Sequence, residues 1–242
     1  MTYRIRSSFA LALIALVGLL SGPAARAESV GDLCDRLTAG PDDPDRRADA
    51  VPLAEIAVPA AIGACRAAVF KEPREPRWHY QLGRALLAAG RLGQARRSWG
   101  RAAIFDYPAA LFDLGRQSMP GPGSLKTMHA FEAYSLLWRA ANQGHAGAAE
   151  AVGRAHRYGT GVPESLEWAA RWYAVAAAEG NVSAMRRLAA MYLNGTGVRR
   201  DLRKTVALLE MAAATGDPAS IDALSWLRRQ RVDGVSEADT PP

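Results

Sequence analysis

The fold is decided by one repeated stretch, which reads GHAGAAEAVGRAHRYGTGVPESLEWAARWYAVAAAEG from Gly144 to Gly180 and GNVSAMRRLAAMYLNGTGVRRDLRKTVALLEMAAATG from Gly180 to Gly216. The turn sequence Gly-Thr-Gly-Val occurs at 159–162 and again at 195–198, and an Ala-Ala pair stands just before each closing glycine. The two copies therefore share a step of 36 residues. A fixed period of this length is typical of repeat architectures, in which each unit packs against its neighbours.

Each copy has the pattern of a helical hairpin. Residues 148–158 are rich in alanine and carry apolar residues at helical spacing, which predicts a first helix. Gly159 stands where a helix often ends on a residue with positive φ, and Ser165 is a plausible N-cap for a second helix over 166–179. An isolated hairpin buries too little surface to be stable, so several must stack. The predicted fold is all-α, an α-solenoid of antiparallel helical hairpins.

The pattern extends in both directions from these copies. A degenerate copy upstream is offset by 38 residues, and residues 76–109 have the Leu-Gly and Ala-aromatic-Ala spacing of a tetratricopeptide-like unit. Two short helices, 29–37 and 59–70, are expected before it. The predicted organisation is a signal peptide (1–27), an N-terminal helical cap (28–75), the tetratricopeptide-like unit (76–109), a degenerate repeat (110–147), two good repeats (148–183 and 184–219), a C-terminal capping helix (220–230) and a disordered tail (231–242).

The N-terminus has the order of an export signal. Arg4 and Arg6 precede an apolar run of about 12 residues, and small residues at Ala25 and Ala27 follow it, so cleavage is expected after Ala27. The run is shorter than the roughly 20 residues of a spanning helix. We therefore expect a periplasmic or secreted protein whose mature chain has no transmembrane span.

Charge and cysteine content narrow the function classes. The chain carries a formal charge of +6, and loss of 1–27 removes three arginines, leaving 27 basic and 24 acidic residues and a charge of +3. That weak excess does not favour nucleic acid as a partner.

Cys34 and Cys65 are the two cysteines, and in an oxidising compartment such a pair predicts a disulfide. The scattered histidines match no metal-ligand spacing, so neither a metal nor another cofactor is expected.

The Gly-Thr-Gly-Val turns, the Ala-Ala endings and the step of 36 resemble the Sel-one-like repeat family, a sister of the tetratricopeptide repeats. The resemblance covers about residues 109–230. It implies a solenoid that makes protein–protein contacts, often as an adaptor in envelope complexes, while some members act in polysaccharide export or are associated with peptidoglycan-related ligands. Two features depart from the family: the last copy holds only a first helix, and the disulfide within each repeat of the cysteine-rich members is missing here.

An arginine follows each Leu-Gly or Val-Gly pair, namely Arg84, Arg116 and Arg154. In tetratricopeptide-like units this position faces the concave side, so the three should form a row along a groove. The planar guanidinium of arginine suits carboxylates, although solvated arginines on an Arg-rich surface explain the pattern as well. The other residues expected on this face are Arg77, Tyr80, Phe112, Glu150, Arg157 and Arg186.

Catalytic motifs are missing from the sequence. Gly-Thr-Gly lacks the Lys-Ser/Thr helix start of a phosphate loop, and neither Gly-x-Ser-x-Gly nor His-Glu-x-x-His occurs. We therefore predict a non-catalytic adaptor of the cell envelope that binds a protein or an acidic peptide on its concave face. The alternative is a binding protein associated with polysaccharide or peptidoglycan. Replacing all three arginines should weaken binding with little loss of melting temperature.

Overall fold

The chain folds into stacked helical hairpins. The computed structural model describes residues 29–120 and 128–232. These hold helices and no strand. The helices are α1 (Val30–Thr38), α2 (Val58–Lys71), α3 (Pro76–Ala88), α4 (Leu92–Ala103), α5 (Pro108–Ser118), α6 (Met128–Ala141), α7 (Ala146–Tyr158), α8 (Leu166–Ala178), α9 (Val182–Asn194), α10 (Leu202–Ala213) and α11 (Pro218–Val232), with one 3-10 turn at Leu53–Glu55.

The helix ends are set by local chemistry that the sequence predicts. Ser165 caps α8 by accepting a hydrogen bond from the backbone N–H of Trp168, and Asp201 caps α10 in the same way through Lys204. Gly159 and Gly195 end α7 and α9 with φ of 64° and 69°, a conformation that glycine adopts without steric cost. The predicted all-α solenoid is therefore confirmed.

Neighbouring helices pack closely because glycines on one helix face large side chains on the next. A Cβ atom added at Gly153 would lie 2.7 Å from the ring of Tyr173 on α8. Gly83 stands in the same relation to Trp99 on α4, and Gly115 to Leu137 on α6. Each glycine lets the second helix of a hairpin approach the first, and the side chains of Trp99, Leu137 and Tyr173 are fully buried in the resulting core.

The N-terminal hairpin α1–α2 is held by a disulfide between Cys34 and Cys65, as the sequence predicts. Both cysteines are completely buried and belong to the core cluster that also contains Trp99 of α4. The covalent bond thus fixes a cap on the first hairpin of the solenoid. Among the described residues, none of the helices combines the length and the apolar character that crossing a bilayer requires.

The predicted signal peptide, residues 121–127 of the predicted degenerate repeat and residues 233–242 of the predicted tail lie outside the described residues.

Candidate functional site

The first helices of successive hairpins share one face, which we call the groove face and define by Arg84 on α3, Arg116 on α5 and Arg154 on α7. Each of these arginines follows a glycine that packs against the second helix of its own hairpin. The side chain of the next residue therefore emerges at a different angle around the helix and leaves the core. The Gly-Arg pair in each first helix thus sets both the packing of its hairpin, through the glycine, and the position of the arginine in the row.

The α3 part of the groove face is covered by the chain itself, which the sequence does not reveal. Arg84 is 6% exposed, and its guanidinium donates hydrogen bonds to the carbonyl oxygens of Thr38 and Val51, the latter at 2.8 Å. Arg77 and Tyr80 are buried with it. The expected open row is therefore interrupted, because the loop between α1 and α2 lies over its first member.

This loop, residues 40–51, is rich in aspartate and proline, and we call it the acidic loop. Its base is closed by a hydrogen bond of 2.8 Å from the N–H of Val51 to the carbonyl oxygen of Ala39. The carboxylate of Asp43 accepts hydrogen bonds from the hydroxyl of Tyr107 and, at 3.2 Å, from Nε2 of Gln81. Burial nevertheless raises the pKa of Asp43 above its usual range.

A buried ion pair ties α1 to α3 beneath the same loop. Arg77 Nη1 lies 3.3 Å from the carboxylate of Asp35 and donates a hydrogen bond of 2.7 Å to the carbonyl oxygen of Asp45. The Asp35 carboxylate also accepts a hydrogen bond from Gln81. Sequence reasoning missed Asp35, Asp43 and Gln81, which bind Arg77, Tyr107 and one another beneath this loop. The sequence does contain a run of aspartates between Cys34 and Cys65, and this run was the signal that could have indicated buried polar contacts here.

Within the part of the chain that the structure describes, the groove face is exposed from α5 onward. A cavity of about 310 Å³ lies between α5 and α7. Its apolar lining includes Phe112, Leu137, Ala151 and Ala155, and its polar rim includes Arg116, Glu150, Arg154 and Tyr158. The structure thus brings together four residues that the sequence assigns to this face, namely Phe112, Arg116, Glu150 and Arg154.

The rim arginines are exposed and only partly neutralised. The side chain of Arg116 is 52% exposed and lies 3.0 Å from Asp113, whose pKa is raised by burial. The side chain of Arg154 is 45% exposed and lies 3.9 Å from Glu150. That carboxylate already lies 2.8 Å from Arg187 of α9. Two carboxylates are therefore shared among three arginines, which leaves a positive potential at the rim.

The two remaining predicted residues do not line the cavity. Arg157 places its guanidinium 5.8 Å from the ring centre of Tyr158. Arg186 lies 3.7 Å from Asp217 at the start of α11. On α8, burial raises the pKa of the Tyr173 hydroxyl to about 12, and this hydroxyl is uncharged at neutral pH.

His145 supports the site from behind Phe112, and sequence reasoning did not single it out. Its Nδ1 accepts a hydrogen bond of 3.1 Å from the N–H of Ala148 and thereby caps α7. Its ring packs on Phe112 with the ring centres 4.4 Å apart. The signal was present in the period, because Asn181 and Asp217, one and two steps of 36 later, cap α9 and α11. His145 therefore fixes both the start of α7 and the position of Phe112.

The described residues contain no group of three or more His, Cys, Asp or Glu side chains that could hold a metal ion. The arrangement offers cationic hydrogen-bond donors around an apolar cavity, which suits binding of a partner carrying both apolar and anionic groups.

Comparison with known proteins agrees with this architecture. The Sel1 repeat family model matches residues 146–181 and 182–217. The Sel1 repeat protein of Oxalobacter formigenes has a similar fold, with a TM-score of 0.60 at 23% identity over 70% of this chain and 69% of that one. A protective antigen of uropathogenic Escherichia coli with an SLR fold matches at a TM-score of 0.47 and 22% identity, over 74% of this chain and 46% of that one. Among functionally curated proteins, none matches the sequence.

Proposed function

Since two Sel1 repeats lie within this α-solenoid, at residues 146–181 and 182–217, we propose that the chain is a non-catalytic adaptor that binds another protein on its groove face between α5 and α9. Repeat solenoids present extended surfaces suited to protein contact. The observation that carries the proposal is the cavity between α5 and α7 with Arg116 and Arg154 exposed on its rim. The covered arginine Arg84 takes no part in binding.

The chemistry of the rim supports an acidic segment as the bound part of the partner. A guanidinium can donate two parallel hydrogen bonds to one carboxylate. Such contacts contribute about 1.5–3 kcal/mol when they are desolvated, and about 0–1 kcal/mol when they remain in water. Binding should therefore weaken as salt is added.

We place this adaptor in the cell envelope. The signal pattern in residues 1–27 supports export, and the buried Cys34–Cys65 disulfide suits an oxidising compartment. Intact mass of the protein recovered from its producing cells tests the placement. A chain that begins at Glu28 is expected, and a chain that retains residues 1–27 contradicts cleavage at this site.

A glycan partner is the second candidate, and the aromatic residues favour it less. Sugars commonly stack on exposed indole rings, but the exposed Trp138 and Trp168 lie on the second helices α6 and α8. They do not line the cavity between α5 and α7. A protein partner on the groove face therefore accounts better for the position of the cavity.

The test is a crosslinked pull-down from envelope extract with the parent chain and the double variant Arg116→Ala/Arg154→Ala. The control Arg97→Ala/Arg203→Ala removes the same charge from exposed positions on the second helices α4 and α10. We expect the parent and the control to recover the same protein and the double variant to lose it. Equal recovery by all three would place the partner elsewhere, and sedimentation with purified sacculi without a protein partner would favour the glycan.

A further inference from the structure

We propose that the cavity between α5 and α7 receives one large apolar side chain of the partner, with a carboxylate next to it in the partner's sequence held by Arg116 and Arg154. This inference rests on the proposed function and specifies which part of the partner is recognised.

The cavity has the size and lining of a side-chain pocket. Its volume of about 310 Å³ lies at the lower end of ligand pockets, which span roughly 300–1,000 Å³. The walls are the ring of Phe112, the side chain of Leu137 and the small side chains of Ala151 and Ala155. Buried aromatic or aliphatic anchors in such pockets supply much of the affinity of protein interfaces.

Two features of the described residues shape this pocket. Phe112 is held on the ring of His145, and a Cβ atom at Gly147 would lie 3.1 Å from the end of the Phe112 ring. The residue at 147 therefore has to be small for Phe112 to occupy its place. The small side chain of Ala151 leaves space in the pocket, and a longer side chain at position 151 would fill it. An apolar group can enter without rearrangement of the helices.

The charge beside the pocket selects an anion. Arg116, Arg154 and Arg187 share the carboxylates of Asp113 and Glu150, so the rim has more positive than negative groups. A carboxylate attached close to the apolar anchor would reach Arg116 and Arg154 while the anchor occupies the pocket. Burial of the anchor excludes water from the contact and strengthens it.

The neighbouring part of the groove face already holds an acidic segment of the chain itself. At α3 the acidic loop places the Asp43 carboxylate on Gln81 and Tyr107, and Arg84 donates to the carbonyl oxygen of Val51. Arg116 and Arg154 stand at the positions of the next two hairpins that correspond to Arg84. The acidic loop closes the α3 end, so the partner segment has only the part of the face from α5 onward.

The inference is tested with three short capped peptides of otherwise Gly-Ser sequence, containing Phe-Asp-Asp, Ala-Asp-Asp or Phe-Asn-Asn. Titration of the isotope-labelled full chain by two-dimensional NMR reports both affinity and place. We expect the Phe-Asp-Asp peptide to shift the amide signals of Gly147, Ala151 and Arg154 with a Kd of about 0.1–1 mM, and both other peptides to bind at least about tenfold more weakly.

Ala151→Leu fills the pocket and leaves every charge in place, so it should abolish these shifts. Ala174→Leu makes the same change at an exposed position of α8 and should leave them unaltered. The proposal is overturned if no peptide shifts these amides at millimolar concentration, if Ala-Asp-Asp binds as well as Phe-Asp-Asp, or if Ala151→Leu binds normally. A pull-down that still depends on Arg116 and Arg154 would then preserve the adaptor function while the anchor inference falls.

Discussion

Arg84 donates a hydrogen bond of 2.8 Å to the carbonyl oxygen of Val51, so the first arginine of the row holds the protein's own acidic loop. Arg116 occupies the corresponding position one hairpin later and is half exposed at the rim of the cavity. The same residue at the same repeat position is therefore structural in one hairpin and available to a partner in the next.

This difference predicts that replacing Arg84 lowers the free energy of unfolding much more than replacing Arg116. Arg84→Ala removes two hydrogen bonds from a charged donor to buried carbonyl oxygens, so we expect the free energy of unfolding to fall by about 3 kcal/mol. Arg116→Ala should change it by less than about 1 kcal/mol, because the side chain is exposed. Urea denaturation of the two variants measures both values, and equal losses would contradict the distinction. The expectation that all three arginines can be replaced with little loss of melting temperature is revised for Arg84.

Close packing at the hairpin glycines predicts a second pair of opposite effects. A Cβ atom at Gly153 would lie 2.7 Å from the Tyr173 ring, so Gly153→Ala should destabilise the chain by about 1–3 kcal/mol. Gly100, within α4, has nothing within 4 Å of the added atom, and Gly100→Ala should stabilise by about 0.5–1 kcal/mol. Thermal unfolding of both variants is the measurement. A Gly153→Ala variant as stable as the parent would show that α8 does not depend on this contact.

The disulfide predicts a local effect in a repeat structure. Replacing Cys34 and Cys65 by alanine removes a crosslink over 31 residues, which contributes roughly 3–4 kcal/mol in the chain-entropy account. Hydrogen exchange followed by mass spectrometry should show faster exchange in α1 and α2 and unchanged exchange in α9 and α10, because solenoid units contact chiefly their neighbours. Uniform acceleration along the whole chain would mean that the hairpins unfold as a single unit.

His145 predicts a fall in stability at mildly acidic pH. Burial lowers the pKa of His145, while the carboxylates of Asp42 and Asp113 act in the opposite direction. The unfolded chain, with a histidine pKa near 6.5, then binds the proton more readily than the folded one. The stability that the neutral ring contributes is complete above about pH 6.5 and is lost as the pH falls below that value.

The variant His145→Asn distinguishes the helix-capping role of residue 145 from the effect of protonating its ring. Asparagine keeps an N-cap acceptor, as Asn181 does one repeat later, so stability at pH 7.5 should change by less than about 1 kcal/mol. Between pH 7.5 and pH 5.5 the variant should lose less stability than the parent in urea titrations. His129→Asn, at an exposed position, serves as the control and should keep the pH dependence of the parent. If His145→Asn loses as much as the parent, the pH dependence arises elsewhere.

The fold was predictable because the period of 36 places glycines, caps and alanines in the same phase in each copy. Ser165 and Asp201 cap their helices, and Gly159 and Gly195 end theirs, as the pattern indicates. These are local signals, each set by a few neighbouring residues. The Cys34–Cys65 bond was predictable for a different reason, since two cysteines have one intramolecular pairing and the export signal predicted in residues 1–27 favours an oxidised pair.

The candidate site was predictable only in part, because long-range contacts decide which arginines are open. The positions after the Leu-Gly and Val-Gly pairs gave Arg116 and Arg154 a place on the groove face, and the cavity between α5 and α7 includes both. The burial of Arg84 depends on a loop more than 30 residues upstream, which no period contains. The N-cap role of His145 was visible in phase with Asn181, but histidine is not among the usual capping residues.

Site-specific photo-crosslinking at the cavity tests the central claim most directly. In producing cells, p-benzoylphenylalanine would replace either Tyr158, at the rim of the cavity, or Phe70, which is 91% exposed on α2. The account predicts that light joins a protein partner to position 158 and not to position 70, and that Arg116→Ala/Arg154→Ala removes the adduct. An adduct at position 70 alone, or one at position 158 that survives the loss of both arginines, would contradict it.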